Sequence, residues 1–269
     1  VGPDDILKIC PQIHLDCGGN HEILGALYHA PGAVARHDAV AWGYARRASE
    51  SGVEIHQHTK VTGIDVQGGR VIGVTTPRGK IQAGAVISAV AGFTPTVLSM
   101  VGLSSPIEIF PLQACVTEPI KPWLDTIIVS GSLHLYVSQS SRGEMVMGAS
   151  LDPIELHSRR STFEFVSNLS DQLLDMFPFL SQVNVNRQWA GMADMTPDFA
   201  PIMGTTPVED FYVDAGWGTW GFKATPISGK TMAATVANKR DDELITGFNL
   251  SRFENYKLVG EKGAAAIGH

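Results

Sequence analysis

The chain has 269 residues, 44% hydrophobic and 17% charged, which supplies a substantial core and argues against disorder over most of its length. Its net charge of −7 is spread without the basic stripe that phosphate-backbone binding requires, so no nucleic-acid partner is expected. No apolar run approaches the roughly twenty residues that span a bilayer and no charged-then-apolar leader opens the chain, so a cytoplasmic location without membrane contact is expected. Cys10, Cys17 and Cys115 form neither a CxxC pair nor an even framework, which predicts reduced, buried packing thiols. The chain opens Val1-Gly2-Pro3 with no initiator methionine, as a truncated or processed sequence would.

In chain order, apolar residues at helical spacing after Asp38 predict a helix from Asp38 to Ser51, with Asp38 as its N-cap and Gly52 ending it. Val53 to His58 alternates apolar and polar, the period of a half-buried strand. Three β-rich runs, Val61–Val66, Val71–Thr76 and Ile81–Ala83, are punctuated by glycine turns and predict an antiparallel meander. Ala85 to Gly92 is nearly all small or β-branched, like a strand buried on both faces. Residues 107–151 again look strand-like, most clearly Leu133–Val137 and Glu144–Gly148. Phe163, Val166, Leu169, Leu173, Leu174 and Phe177 recur at helical spacing until Pro178, which predicts an amphipathic helix. Phe211–Ala215 is a short strand, followed by a glycine-rich turn over Gly216–Lys223 and a helix from about Pro226 to Asn238. The tail from Gly260 to His269 is expected to be loosely ordered.

Three places could carry chemistry. The turn Gly216-Trp217-Gly218-Thr219-Trp220-Gly221-Phe222-Lys223 lets backbone approach a flat ligand, aims free amides and a helix N-terminus at it, and adds a positive charge. A plain strand-to-helix connection with a solvated lysine has the same composition. His37, between Arg36 and Asp38, could be held in one tautomer with a ring nitrogen free, or could be a satisfied loop residue. The Thr196-Pro197-Asp198 turn lies among methionines that could line a pocket or fill core, and Arg187 reads as an exposed arginine after a strand. His56 and His58 share a strand face, but no third ligand follows at a usual spacing, so no metal is expected.

Ala35-Arg36-His37-Asp38-Ala39-Val40-Ala41-Trp42-Gly43, the Thr196-Pro197-Asp198 turn and the segment Gly216–Lys223 together resemble the glycine-oxidase and sarcosine-oxidase group of flavoproteins. The resemblance runs from about residue 5 through the closing Gly-Ala-Ala-Ala stretch, and is nearest to the β-subunits of heterotetrameric sarcosine oxidases. It implies a mixed α/β (α+β) fold of the FAD-linked reductase type. That fold comprises part of a dinucleotide-binding domain, with its amino-terminal βαβ unit and ribose-binding acid missing here, and an antiparallel-sheet substrate domain. Residues 30–100 and 190–240 would form the FAD-binding portion, and residues 101–189 the substrate and subunit-contact portion.

The resemblance also implies site roles. His37 would be joined covalently through a ring nitrogen to FMN. Gly216, Gly218, Thr219, Gly221, Phe222 and Lys223 would lie against FAD, with Lys223 also holding the substrate carboxylate. Val61 would contact the adenine, and Ala91 and Gly92 would sit beside the dinucleotide. Gly191 stands where monomeric sarcosine oxidases carry the cysteine that attaches FAD, so FAD would be non-covalent, and Glu144–Gly148 offers no lysine to activate oxygen. Trp220 replaces the smaller residue expected between Thr219 and Gly221. The arginine that partners the lysine on the carboxylate would lie upstream of Val1. The implied reaction is hydride transfer from the N-methyl group of sarcosine to FAD, electron passage to FMN, and reoxidation by oxygen to peroxide. Glycine and formaldehyde would result, or the one-carbon unit would pass to tetrahydrofolate through the α-subunit. The implied partners are α, γ and δ subunits and an N-methyl amino acid. Two alternatives are a dehydrogenase of a related secondary amino acid and a cofactor-free remnant.

Overall fold

The structure is a computed structural model and describes residues 1–19 and 21–260. In chain order its elements are α1 (Pro3–Ile9), α2 (His37–Glu50), β1 (Gly63–Gln67), β2 (Arg70–Thr76), β3 (Gly79–Gln82), β4 (Val86–Ser88), α3 (Thr94–Ser99) and β5 (Glu108–Pro119). There follow β6 (Ile128–Ser130), β7 (Leu135–Gln139), β8 (Glu144–Leu151), α4 (Phe163–Met176), β9 (Val185–Met195), β10 (Ile202–Thr205), β11 (Phe211–Ala215) and α5 (Gly221–Asn238). The chain forms two compact units, one from Val1–Val34 with Phe110–Met192, the other from Ala35–Ile109 with residues 193–260.

The first unit carries a five-stranded sheet of order β6-β7-β8-β5-β9, in which β6/β7, β7/β8 and β5/β8 pair antiparallel. Helix α4 turns Phe165, Leu169, Leu173 and Met176 inward, and the Thr162 hydroxyl caps its N-terminus by accepting from the Phe165 amide at 3.2 Å. They join Val137, Met145, Met147 and Phe177 in one core. Phe163, expected on that face, is 78% exposed, because it is the first helical residue and Phe165 takes its place. Arg187 is exposed but lies inside β9 rather than after a strand. Cys10, Cys17 and Cys115 are buried, unpaired thiols as expected, and burial pushes the Cys115 pKa up to about 11.

The second unit contains the expected meander, β1-β2-β3, antiparallel throughout. A second sheet has the order β10-β11-β4, with β10/β11 antiparallel and β11/β4 parallel. Arg70 from β2 and Lys239 after α5 both reach the Asp210 carboxylate before β11, at 2.5 and 2.8 Å. The Asp210 carboxyl is thereby held below the usual carboxylate range, by the Lys239 and Arg70 hydrogen bonds. This three-way pair ties meander, sheet and helix end together.

Four expectations are corrected in this unit. Val53–His58 is not a strand; Val53 and Ile55 are each 53% exposed, and alternation makes a strand only where a neighbour supplies the hydrogen-bond ladder. Ala85–Gly92 yields only the three-residue edge strand β4, with Ile87 49% and Val90 37% exposed, because Ala91 turns to φ +45° and begins a 3₁₀ turn. Helix α2 starts one residue early, so Arg36 is its N-cap and Asp38 sits in the first turn, accepting from a backbone amide there. Helix α5 begins at Gly221 and carries Pro226 inside it. Residues 261–269, with the Gly-Ala-Ala-Ala stretch and nearly all of the tail from Gly260, lie outside the described residues. Among the described residues no helix is long and apolar enough to cross a membrane.

Candidate active site

Because β4 and β11 run parallel, with Val213 opposite Ser88, their carboxyl ends meet one edge of the sheet. The chain leaves β4 through Ala91 and the buried Gly92, and leaves β11 through Gly216 and Gly218 into α5. Open sheets with parallel strands bind ligands outside such carboxyl ends. Ala91, Gly92 and the segment Gly216–Lys223 are therefore brought to one edge.

Two carboxylates shape the turn after β11. Asp194, at the end of β9 and 4% exposed, accepts from the Gly216 amide at 2.6 Å and from the Gly218 amide at 3.2 Å. Asp214, in β11, accepts from the Trp217 indole N–H at 2.6 Å and, by a short bond, from the Ser228 hydroxyl in α5. Gly216 and Gly218 have φ of +71° and +54°, the left-handed region that glycine enters without penalty. A Cβ on Gly216 would lie 2.6 Å from Thr196 Cγ2, and one on Gly218 would lie 2.8 Å from Met195 Sδ. Their smallness is thus required by the protein's own packing. The expectation of free amides in the turn is corrected for Gly216, Trp217 and Gly218, whose amides bond Asp194, which leaves the first turn of α5, where helical amides lack intrahelical acceptors.

Thr219 is exposed, Gly221 and Phe222 open α5, and Lys223 stands in its first turn with its ammonium over the Trp220 ring, 4.0 Å from the centroid. Helix N-terminus, hydroxyl and ammonium are a donor set for an anionic or acceptor-rich ligand. That set suits a phosphate-bearing redox dinucleotide and a carboxylate substrate.

His37 opens α2 elsewhere in the unit. Arg36 donates to Asp38 at 3.1 Å, so the flanking charges pair with each other rather than fixing the imidazole. Among the described residues no hydrogen bond or ring contact joins His37 to the turn. Val61 is half-buried and packs with Ile64, Val71, Leu98 and Phe211. The Thr-Pro-Asp turn is structural: the Thr196 hydroxyl donates to the Ala200 carbonyl, and Asp198 receives Arg252 through two bonds of 2.7 and 2.9 Å. A Cβ at Gly191 would meet only the Leu112 carbonyl, at 3.9 Å. His56 bonds Glu54 at 3.0 Å, and the described residues hold no cluster of three metal-ligating side chains. Asp194 and Asp214 were missed by sequence reasoning; the available signal was Asp194 standing alone in the apolar run Ala190–Met195, where a charge needs a partner.

The profile of the family described as FAD dependent oxidoreductase matches residues 1–235. The chain belongs to that family. Over 269 residues, all of this chain, it is 42% identical to sarcosine oxidase subunit beta of Rhodobacter capsulatus and spans 64% of that protein. It is 40% identical to the same subunit of an Arthrobacter species, covering 99% of this chain and 66% of the relative. The crystal structure of L-proline dehydrogenase from P. horikoshii shares its fold with a TM-score of 0.88 at 25% identity, covering 96% of this chain and 69% of that one. The mixed α/β architecture with antiparallel sheets is that of FAD-dependent oxidoreductases.

Proposed function

We propose that this oxidoreductase is part of a β-type subunit of a two-flavin sarcosine oxidase, which converts an N-methyl amino acid, sarcosine first, to glycine and formaldehyde. Dioxygen takes up the two electrons as hydrogen peroxide, and one water is consumed when the substrate imine hydrolyses. The observation that carries the reading is Lys223 in the first turn of α5, at the sheet edge shared with Ala91 and Gly92. The identity of 40–42% to sarcosine oxidase β-subunits supports it.

Bound FAD would supply the two-electron acceptor for the carbon–hydrogen bond next to nitrogen. The chain's own residues bind and orient. Lys223 offers an ammonium to the substrate carboxylate, a charge-assisted pair that a partly dry site strengthens. The N-terminus of α5 adds partial positive charge from its amides. Gly221 and Phe222, the Thr219 hydroxyl, Val61 and the Ala91-Gly92 turn would line a non-covalent FAD, with Gly216 and Gly218 shaping the approach. His37 is exposed, and a ring nitrogen of its imidazole would be the attachment point for FMN; α, γ and δ subunits would complete the assembly, the α-subunit serving tetrahydrofolate.

The full-length subunit assembled with its partners should form peroxide and formaldehyde from sarcosine, and its acid-precipitated pellet should stay yellow. His37→Ala should give a colourless pellet. A colourless wild-type pellet excludes FMN attachment, and absence of sarcosine turnover excludes the substrate assignment. The similarity to L-proline dehydrogenase favours a second reading, a secondary-amino-acid dehydrogenase. Turnover with an artificial acceptor but without peroxide selects it.

A further inference from the structure

Two amides that converge on an anion form a backbone nest, a motif that usually receives a ligand's phosphate or carboxylate. Here the nest made by Gly216 and Gly218 is filled from inside the protein, by Asp194 Oδ2 at 2.6 Å and Oδ1 at 3.2 Å. The Gly218 amide also reaches the Asp194 carbonyl at 3.2 Å, so the turn is stitched to the end of β9 by side chain and backbone together. No cation pairs with this carboxylate among the described residues. Burial pushes its pKa up, and the amides of Gly216, Trp217 and Gly218 offset part of that rise. A buried carboxylate without a cation is costly to keep, and its bonds to other residues converge on the one turn that leads into α5.

We infer that Asp194 is the positioning residue of the flavin cradle: it holds the Gly216–Gly218 turn, and through it Thr219 and the first turn of α5, where FAD is received. This rests on the reading that the turn faces FAD. It also divides the glycine segment by task. Gly216 and Gly218 serve the internal anchor, while Thr219 to Lys223 serve the ligand.

The test uses the full-length subunit assembled with its partners, depleted of FAD and titrated with FAD by fluorescence. Asp194→Asn keeps the volume but places an amide NH₂ against the amide of Gly216 or Gly218. It should raise the FAD dissociation constant about tenfold, the equivalent of one lost net interaction. Asp198→Asn is the control, since Asp198 is also buried in the same unit but bonds Arg252 instead of the turn. It should lower Tm at least as much as Asp194→Asn and leave FAD affinity within about threefold. Gly218→Ala strains the same turn, at its left-handed φ of +54° and against Met195 Sδ, and should also weaken FAD should Asp194→Asn fail to fold. Wild-type FAD affinity in Asp194→Asn, or in Gly218→Ala where it alone folds, overturns the inference, as does equal weakening by Asp198→Asn. Sarcosine turnover is read separately: FAD bound without turnover removes the substrate assignment and leaves the affinity comparison standing.

Discussion

The ammonium of Lys223 lies 4.0 Å from the centroid of the Trp220 ring, one turn-start apart on the same helix entrance. The indole face holds the cation without consuming its hydrogen bonds, so Lys223 can still grip a carboxylate. Such a contact is worth about 0.5–1 kcal/mol at an exposed site. Trp220→Leu should therefore raise KM for the N-methyl amino acid by no more than about fivefold, with kcat unchanged and Trp220→Phe close to wild type. Lys223→Met would remove the charged hydrogen bond proposed to the carboxylate, about 1.5–3 kcal/mol, and should raise KM about ten- to a hundredfold. Steady-state kinetics on the assembled enzyme check both. An amine lacking the carboxylate should show neither effect.

Arg252 and Asp198 form a buried pair, with side chains 1% and 2% exposed. Arg252→Met leaves an unpaired buried carboxylate and should cost about 3–5 kcal/mol of stability, read by denaturant unfolding. Burial pulls the Asp198 carboxyl up, but the Arg252 hydrogen bonds and the Val259 amide outweigh it and hold the group below the usual carboxylate value of 3.8. A lowered folded pKa contributes stability above 3.8 that disappears as the pH falls through the folded value. In Arg252→Met only burial and weaker partners remain, so the acid-unfolding midpoint should move to higher pH. An unchanged midpoint contradicts this account.

The helices differ in what they bury. In this chain α2 has no buried residue and exposes 67% of Trp42, whereas Leu169 of α4 is 2% exposed. Trp42→Ala should change stability by less than about 0.5 kcal/mol. Leu169→Ala should cost about 2–5 kcal/mol. Hydrogen exchange should likewise find α2 amides far less protected than those of α4, since an isolated helix of this length is marginal.

All three thiols are buried, and burial raises each above its ordinary value. At pH 8 the native chain should react slowly with a thiol reagent. Denaturation should release three reactive thiols, and fewer would indicate a disulfide.

The elements that are legible in the sequence are those whose pattern is satisfied locally. Helix α4 has a hydroxyl cap at Thr162, a 3.6-residue apolar stripe and a proline stop, and the meander has glycine turns between β-branched runs. Val53–Ile55 has the alternation of a strand and no ladder, because pairing is supplied by a neighbour that local pattern does not contain. The start of α5 is hidden by Pro226, a residue favoured in a helix's first turn; here it lies within the helix and forgoes the bond to the Phe222 carbonyl. At the site, the glycines and Lys223 can be read from composition. Their anchors cannot, since Asp194 reaches Gly216 across 22 positions and Asp214 reaches Ser228 across 14.

The most direct test is anaerobic mixing of the assembled, flavin-loaded full-length enzyme with sarcosine while the visible flavin absorbance is followed. The wild type should bleach, and Lys223→Met should bleach only at far higher sarcosine concentrations. An absorbance that stays constant at saturating sarcosine, or a Lys223→Met variant with wild-type concentration dependence, would contradict the assignment of this sheet edge as the amine-oxidising site.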